Sequence, residues 1–349
     1  MKRGSLKMKS LGMLGIAAAT AAGLGLAPAA NAATTTAKVP AWHVVKSVNE
    51  GQNTYFSAVV ATGPTSGWAF ASSFTGKPVV YERTGAQTWK TVAFPGSKAE
   101  DVVLAKATSA SDVWAFATVP GDKTQVFSLL NGKWTLRRTM YGDVFQATVV
   151  SSRNVTFYVP GGRYHFDGAT WTEAHESISD GYAFSGSDGW TFSLAGTTVT
   201  HIDGRKHTTY NLKNLLPAKE ELNGPRVAAI YAVSDKNVYV IGDGEQQDAG
   251  GPVVVLHYNG STWTKLAGDG PGDVGQVIPD GKGGLWIPVG WAGGSAVLHF
   301  SGHQLTETLT DESPSDYVQV FQVAEIPGST EALAVGNTYS GRGAILQYS

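Results

Sequence analysis

Ser111-Asp-Val-Trp-Ala-Phe-Ala117 is followed by Asn131-Gly-Lys-Trp-Thr135, and this pair of phrases decides the fold. The pair returns as Asp235-Lys-Asn-Val-Tyr-Val-Ile-Gly242 and Tyr258-Asn-Gly-Ser-Thr-Trp-Thr264. In degenerate forms it occurs seven times along the chain. Short alternating apolar runs, separated by clusters of Pro, Gly, Asp and Asn, indicate about four β-strands in each repeat.

The central residue of the first phrase sets the repeat length. Its successive positions are separated by 46, 42, 34, 49, 47 and 47 residues. A period of this size with four short strands is typical of β-propellers. The last repeat stops at Ser349 before its outer strand, and Ala41-Trp-His-Val-Val45 has the pattern of that strand. We therefore predict an all-β, seven-bladed β-propeller, closed by an N-terminal strand that completes the last blade. The seven positions are Trp68, Trp114, Thr156, Trp190, Tyr239, Trp286 and Leu333.

The repeats resemble those of secreted bacterial seven-bladed propellers, which are grouped with the Kelch and WD40-type folds. The resemblance spans almost the whole chain after residue 40 and lies in the repeat pattern. Neither the double glycines of Kelch repeats nor the Gly-His and Trp-Asp pairs of WD40 repeats recur in the sequence. The resemblance therefore implies the fold and carries no family function to this chain.

The first 32 residues have the composition of a secretory signal peptide. A basic start precedes an apolar run from Leu11 to Leu26, and Ala30-Asn-Ala32 matches a small-x-small cleavage site. A retained membrane anchor is the alternative. We predict a signal peptide over 1–32, a lead-in linker over 33–39 and the propeller over 40–349. The protein is then secreted and extracellular after cleavage near Ala32.

Composition limits the partners. The chain has no Cys, so it needs no disulfide framework. Without the predicted signal peptide, 22 basic residues stand against 28 acidic ones, for a net charge of −6. This balance argues against nucleic acid, whose phosphates call for clustered Lys and Arg. No later stretch has the roughly 18 uninterrupted apolar residues of a membrane span. A closed ring favours a monomer.

Aromatic residues in loops are candidates for ligand binding because they break the repeat. Trp291 lies in the Gly-rich stretch between the second and third strands of blade six. Phe74 and Tyr339 occupy the corresponding loops of blades one and seven. Such rings offer a stacking surface for a sugar or another planar group. The alternative is that they pack on neighbouring loops.

Acidic residues precede the first strand of five blades, and the other two blades place Asn53 and Arg226 nearby. Because first strands line the channel of a propeller, these side chains are predicted to surround its mouth and bind a cation or a cationic ligand. The alternative is that each Asp caps its own turn. The five acids are Asp101, Asp143, Asp180, Asp273 and Asp316.

Metal binding has a weak candidate in the loop from Gly242 to Gly251. Asp243, Glu245 and Asp248 offer oxygen ligands to Ca²⁺, although their spacing differs from that of an EF-hand. A solvated acidic loop is the favoured interpretation, and no cofactor is expected. His165, His201, His257 and His299 fall at equivalent positions of four blades, which are too far apart to share one ion, so we interpret them as structural.

A catalytic constellation is not evident. The sequence has no Cys nucleophile, no Gly-x-Ser-x-Gly and no His-Glu-x-x-His. His175, Glu176 and Asp180 are weak candidates for a base with its orienting carboxylates. We therefore favour a secreted, non-catalytic module that binds extracellular carbohydrate or a cell-surface component. The alternatives are an extracellular lyase or glycoside hydrolase that uses channel-mouth carboxylates, and a scaffold for a secreted protein partner.

Overall fold

In the computed structural model of the chain, the structure describes residues 40–49, 54–73, 77–95, 98–175, 180–193, 196–217, 224–244, 251–270, 272–291, 294–310 and 317–349. The side chains of Ser73, Asp180, Asp269 and Leu309 are not described. The predicted signal peptide and linker lie outside these ranges. Pro40–Ser349 forms one compact unit. No helix in the described ranges is long and apolar enough to cross a membrane.

Within the described residues, twenty-nine strands form seven antiparallel sheets, each of which is one blade. Blade one contains β2 Thr54–Gly63, β3 Ser66–Ser73, β4 Val79–Arg83 and β5 Trp89–Val92. Blade two contains β6 Asp101–Ser109, β7 Asp112–Val119, β8 Lys123–Leu130 and β9 Lys133–Tyr141. Blade three contains β10 Gln146–Ser151, β11 Asn154–Val159, β12 Gly162–Phe166 and β13 Trp171–His175. Blade four contains β14 Asp180–Ser185, β15 Asp188–Phe192, β16 Thr198–Asp203 and β17 Lys206–Asn211.

The remaining three blades follow the same order. Blade five contains β18 Pro225–Ser234, β19 Asn237–Gly244, β20 Val253–Tyr258 and β21 Trp263–Gly270. Blade six contains β22 Asp273–Val274, β23 Ile278–Pro279, β24 Leu285–Trp291, β25 Gly294–Ser301 and β26 Gln304–Leu309. Blade seven contains β27 Val318–Glu325, β28 Ala332–Thr338 and β29 Gly343–Tyr348, with β1 Trp42–Val48 as its outer strand.

The N-terminal strand closes the ring, which confirms the sequence prediction. β1 runs antiparallel to β29, from Trp42 opposite Tyr348 to Val48 opposite Gly343. Trp42 is buried against Trp286 of the neighbouring blade, with ring centroids 5.8 Å apart. The first and last parts of the propeller are therefore hydrogen-bonded together, and blade seven has four strands like the others.

The core lies between the blades. The second strand of a blade is covered on both faces, so β7 reads Asp-Val-Trp-Ala-Phe-Ala-Thr-Val with almost every residue buried. The outer strand β9 is mostly exposed, with Trp134 and Arg138 half-buried and Met140 buried, because only its inner face is covered. Between blades one and two, Phe70, Phe127 and Trp134 pack in one cluster. The first strands of adjacent blades contact one another around the central channel.

The seven aligned positions share one level of the ring. Each lies on the second strand of its blade, opposite one residue of the first strand and one residue of the third. This register lets any residue of a first strand be assigned a height in the channel. The first-strand residues at this level, which we call the middle ring, are Val60, Lys106, Thr148, Tyr182, Tyr231, Ile278 and Ala324.

The first strand of blade six is broken. β22 and β23 both pair with β24 but are separated by Gly275, Gln276 and Val277. Pro288 of β24 stands opposite the break, and it has no N–H to continue the ladder. Its carbonyl still accepts a hydrogen bond from the Gly275 N–H at 2.9 Å.

Candidate functional site

The first strands begin, and the second strands end, at the same side of the ring, which we call the upper face. The mouth of the channel at this face is surrounded by the first-strand residues that pair four positions beyond the aligned residue of each second strand. This upper ring comprises Tyr55, Asp101, Arg226, Asp273 and Gln319.

Asp101 ties blade two to blade one. Its carboxylate accepts hydrogen bonds from the Tyr55 hydroxyl at 3.0 Å, the Ser57 hydroxyl at 2.8 Å and the Ser72 hydroxyl at 2.7 Å. Burial raises the pKa of Tyr55, and the adjacent negative charge of Asp101 raises it further, so this phenol stays a donor. The interaction differs from the alternative that Asp101 caps its own turn, because its side-chain partners belong to another blade.

Arg226 lies between two carboxylates on the opposite part of the mouth. Its Nε donates to Oδ1 of Asp243 at 2.7 Å and its Nη2 to Oδ2 at 3.3 Å, a bidentate pair with a fully buried acid. Nη2 is also 3.8 Å from Oδ1 of Asp273, whose side chain is 56% exposed. Arg226 therefore neutralises a buried charge and holds an exposed one at the rim. Glu245 and Asp248, the other predicted calcium ligands, lie outside the described residues.

A cavity of about 570 Å³ opens between blades one and seven. Its wall combines aromatic rings with planar polar groups. Phe321 is 38% exposed and meets Tyr55 edge to face, with centroids 6.4 Å apart. Tyr339 is 74% exposed, and its ring lies 5.7 Å from that of Tyr317. The planar polar groups of this wall are the carboxylate of Asp101 and the amides of Gln319 and Asn337.

A second cavity of about 420 Å³ lies between blades six and seven. Trp291 is the last residue of β24, and its half-buried indole forms one wall. The ring lies directly over Gly294, where a Cβ atom would be 2.3 Å from Nε1, so only glycine fits there. Asp273 stands on the same wall, and Phe321 and Gln319 border both cavities. The two cavities therefore share two side chains of β27, and we call their combined aromatic and polar lining the upper site.

β-Bulges turn residues of the first strands towards this site. The pairing of β2 with β3 skips Ser57, that of β6 with β7 skips Val103, and that of β27 with β28 skips Phe321. All three extra residues border the larger cavity. A bulge re-aims a side chain that a regular strand would point elsewhere, which explains how Phe321 comes to be exposed beside buried neighbours.

Three glutamines cross the channel below the upper ring. The Nε2 of Gln322 donates to Oε1 of Gln276 at 2.6 Å, and the Nε2 of Gln276 donates to Oε1 of Gln146 at 2.5 Å. The Oε1 of Gln322 accepts the N–H of Val59 at 2.6 Å. This glutamine layer joins blades one, three, six and seven, and it separates the upper site from the lower part of the channel.

The predicted acids do not share one level. Asp101 and Asp273 belong to the upper ring, but Asp180 pairs with Phe192 two residues deeper, level with the glutamine layer. Asp143 is exposed in the connection before β10. Phe74 and Asp316 lie outside the described residues, so their predicted ligand-binding roles stay predictions.

His175 occupies the last position of the outer strand β13 and is not a loop residue facing the channel. Its side chain is 84% exposed, and Nε2 is 3.6 Å from Oε1 of Glu173. Glu176 lies outside the described residues. The structure therefore places His175 at the outer edge of blade three. Among the described residues, no channel-facing group lies beside His175 to form the proposed catalytic arrangement.

The four aligned histidines lie on the third strands of four blades and are used in packing. The His299 ring stacks on Trp286 at 4.0 Å, and its Nε2 lies 2.9 Å from Oδ2 of Asp280. Burial alone would raise the pKa of Asp280, but hydrogen bonds from His299 and from two backbone N–H groups outweigh it and lower that pKa. Burial lowers the pKa of His257, as expected for a neutral packed ring.

Sequence reasoning missed Tyr55, Gln319, Phe321 and Asn337 of the upper site. Tyr55, Gln319 and Phe321 lie within strands and Asn337 near the end of one, whereas the residues singled out from the sequence are those predicted to lie in loops or at strand starts. A usable signal was present for the glutamines of the channel, since Gln322 interrupts the apolar run Val318–Ala324 of an innermost strand. A polar residue there calls for a partner inside the channel.

Comparisons with known proteins identify the fold. No protein-family model matches the chain, and no curated protein matches it. YCF48 bound to D1 peptide has a TM-score of 0.58 at 12% identity, over 89% of this chain and 99% of that one. The Cps50 (Swd1) β-propeller domain of Myceliophteria thermophila has a TM-score of 0.60 at 10% identity, and the match covers 87% of this chain and 99% of that one. The WD40 β-propeller domain of Doa1 has a TM-score of 0.56 at 14% identity, and the match covers 87% of this chain and 96% of that one. The chain is a seven-bladed β-propeller, and identities this low extend the likeness to the fold alone.

Proposed function

We propose that this propeller is a secreted, non-catalytic binding module that recognises extracellular carbohydrate at its upper site. The observation that carries the proposal is that Trp291 of β24 and Phe321 of β27 border one cavity. Asp273 and Gln319 line the same cavity. Aromatic faces cover the apolar face of a sugar ring, and planar carboxylate and amide groups bind its hydroxyls.

The size and charge of the site support this ligand class. The two neighbouring cavities, of about 570 and 420 Å³, are each in the range that holds a small ligand or part of a chain. Their wall has acids and amides, with Arg226 already paired to Asp243. A neutral or weakly basic glycan suits such a wall better than a phosphorylated or sulfated one.

A peptide is the second candidate, favoured by the solved structure of a similar propeller, YCF48, bound to D1 peptide. The acidic upper ring would select a peptide with Lys or Arg. The hydrolase or lyase alternative has weaker support. A general acid of a glycosidase is held in an apolar pocket, whereas Asp101 is surrounded by three hydroxyls and Asp273 is 56% exposed.

The test is retention of the chain from residue 33 onward on insoluble polysaccharides and cell walls. Trp291→Ala is compared with Val233→Ala, which truncates a 55% exposed apolar residue near the lower end of β18. Retention of the wild type and of Val233→Ala, with loss by Trp291→Ala, supports a carbohydrate site at the upper face. Equal retention of both variants contradicts it. Absence of retention on every matrix, with binding to a basic peptide, shifts the proposal to the peptide.

A further inference from the structure

A separate cavity of about 280 Å³ occupies the channel below the glutamine layer. Residues of all seven first strands border it, including the whole middle ring. Most of its wall is made by small apolar side chains, such as Ala61, Ala107, Val149 and Val323. Gln146 and Gln322 border it above. The cavity shares no lining residue with the two cavities of the upper site and is therefore distinct from it.

Two tyrosines give this cavity an aromatic side. Tyr182 and Tyr231, from adjacent blades, meet edge to face with centroids 5.4 Å apart. Burial raises the pKa of Tyr182. Burial raises the pKa of Tyr231 as well, and the charge of Glu325 adds to the effect. Both phenols stay neutral, and their rings keep the electron-rich faces that attract cations.

Glu325 brings a carboxylate to the same cavity. It pairs with Ala332, one residue nearer the lower face than the middle ring. Its Oε1 lies against Gly281, where a Cβ atom would be 2.2 Å away. Burial raises its pKa, and the nearby Asp280 raises it further. Within the described part of the chain, no cation or hydrogen-bond donor pairs with this carboxylate. Asp280 cannot donate a hydrogen bond to Glu325, because His299 and two backbone N–H groups hold Asp280 as an anion.

A half-buried anion without a partner is less well solvated than one in water, and a cation that reaches it compensates part of that loss. We infer that the lower cavity binds a small organic ammonium ion, with its charge at Glu325 and the tyrosine rings and its apolar body against the alanines and valines. Lys106 borders the cavity from blade two. The alternative is an anionic ligand held by Lys106, and the experiment must distinguish it from a cationic ligand held by Glu325.

The test is calorimetric titration at pH 7 of the chain from residue 33 onward with three probes of one size: n-hexylammonium, 1-hexanol and hexanoate. We expect n-hexylammonium to bind at least tenfold more tightly than either of the others. Tighter binding of hexanoate, or equal binding of hexanol, overturns the inference.

Two variants locate the site. Glu325→Gln keeps the shape of the side chain and removes its charge. It is therefore expected to weaken the affinity for n-hexylammonium at least tenfold while leaving the affinity for 1-hexanol unchanged. Asp273→Asn removes a carboxylate of the upper ring and is expected to leave the affinities for both n-hexylammonium and 1-hexanol unchanged. Loss through Asp273→Asn with no change in Glu325→Gln contradicts the assignment. Circular dichroism of each variant checks that it folds.

Discussion

Replacing Gln322 with Leu tests whether the glutamine layer holds the ring together. The side chain is 4% exposed, and its Oε1 is the acceptor for the backbone N–H of Val59, which belongs to the adjacent blade. Its Nε2 donates to Gln276. Leu is of similar size but leaves both partners unsatisfied. Each buried group left without a partner costs about 1–3 kcal/mol, and the added apolar contact offsets part of this. We expect a loss of about 2–4 kcal/mol in the free energy of unfolding.

Gln276→Leu is the matched control. Gln146 Oε1 would lose one donor but keeps the N–H of Ala147 at 3.1 Å. Gln322 would lose the acceptor of its Nε2 but keeps its contact with Val59. No backbone N–H depends on Gln276 in the described contacts, so a smaller loss of about 1–2 kcal/mol is expected. Equilibrium unfolding in urea measures both. If Gln322→Leu costs no more than Gln276→Leu, the layer does not act through the Val59 N–H and the reasoning is wrong.

Three further predictions concern stability. Arg226→Met leaves Asp243 buried without its cation and is expected to lower the free energy of unfolding by about 3 kcal/mol. The double variant with Asp243→Leu should recover most of this loss. Absence of recovery would show that Arg226 acts through other contacts. The lowered pKa of Asp280 means that its bonds stabilise the fold above the ordinary carboxyl pKa of about 4 and are lost as pH falls through the folded value. Asp280→Asn should therefore lose less stability between about pH 5 and pH 2 than the wild type, and an equal loss argues against this assignment. Trp42→Ala, in the closing strand, should cost about 3–5 kcal/mol by urea unfolding, and a change under about 1 kcal/mol would mean that closure matters little.

The sequence was sufficient for the architecture because packing repeats. Six of the seven second strands described carry a large residue at one position, and Thr156 is the exception. The residues from Trp68 to Leu333 could therefore be aligned without a structure, and the sheets place them at one register. The closing strand was predictable for a similar reason. Trp42 has the pattern of an outer strand that the C-terminal repeat lacks, and it is found paired with β29.

The site was much less predictable because it depends on features that do not repeat. The exposure of Phe321 follows from a bulge, and the sequence does not show where an extra residue enters a ladder. Asp180 and Asp101 both open a first strand, yet blade four starts two residues deeper in the channel. The partners of Gln146 and Gln322 lie 130 and 46 residues away along the chain, so only the closed ring brings them together.

The most direct test of the upper site is titration of a soluble oligosaccharide, taken from whichever polysaccharide retains the protein, into four proteins. These are the wild type, Trp291→Ala, Tyr339→Ala and the control Val233→Ala. Trp291 and Tyr339 border different cavities that share Phe321, so we predict that each variant weakens binding about tenfold or more, or about 1.4 kcal/mol. Val233→Ala should match the wild type. Unchanged affinity in both upper-face variants would contradict the proposal that this aromatic and polar face binds the ligand.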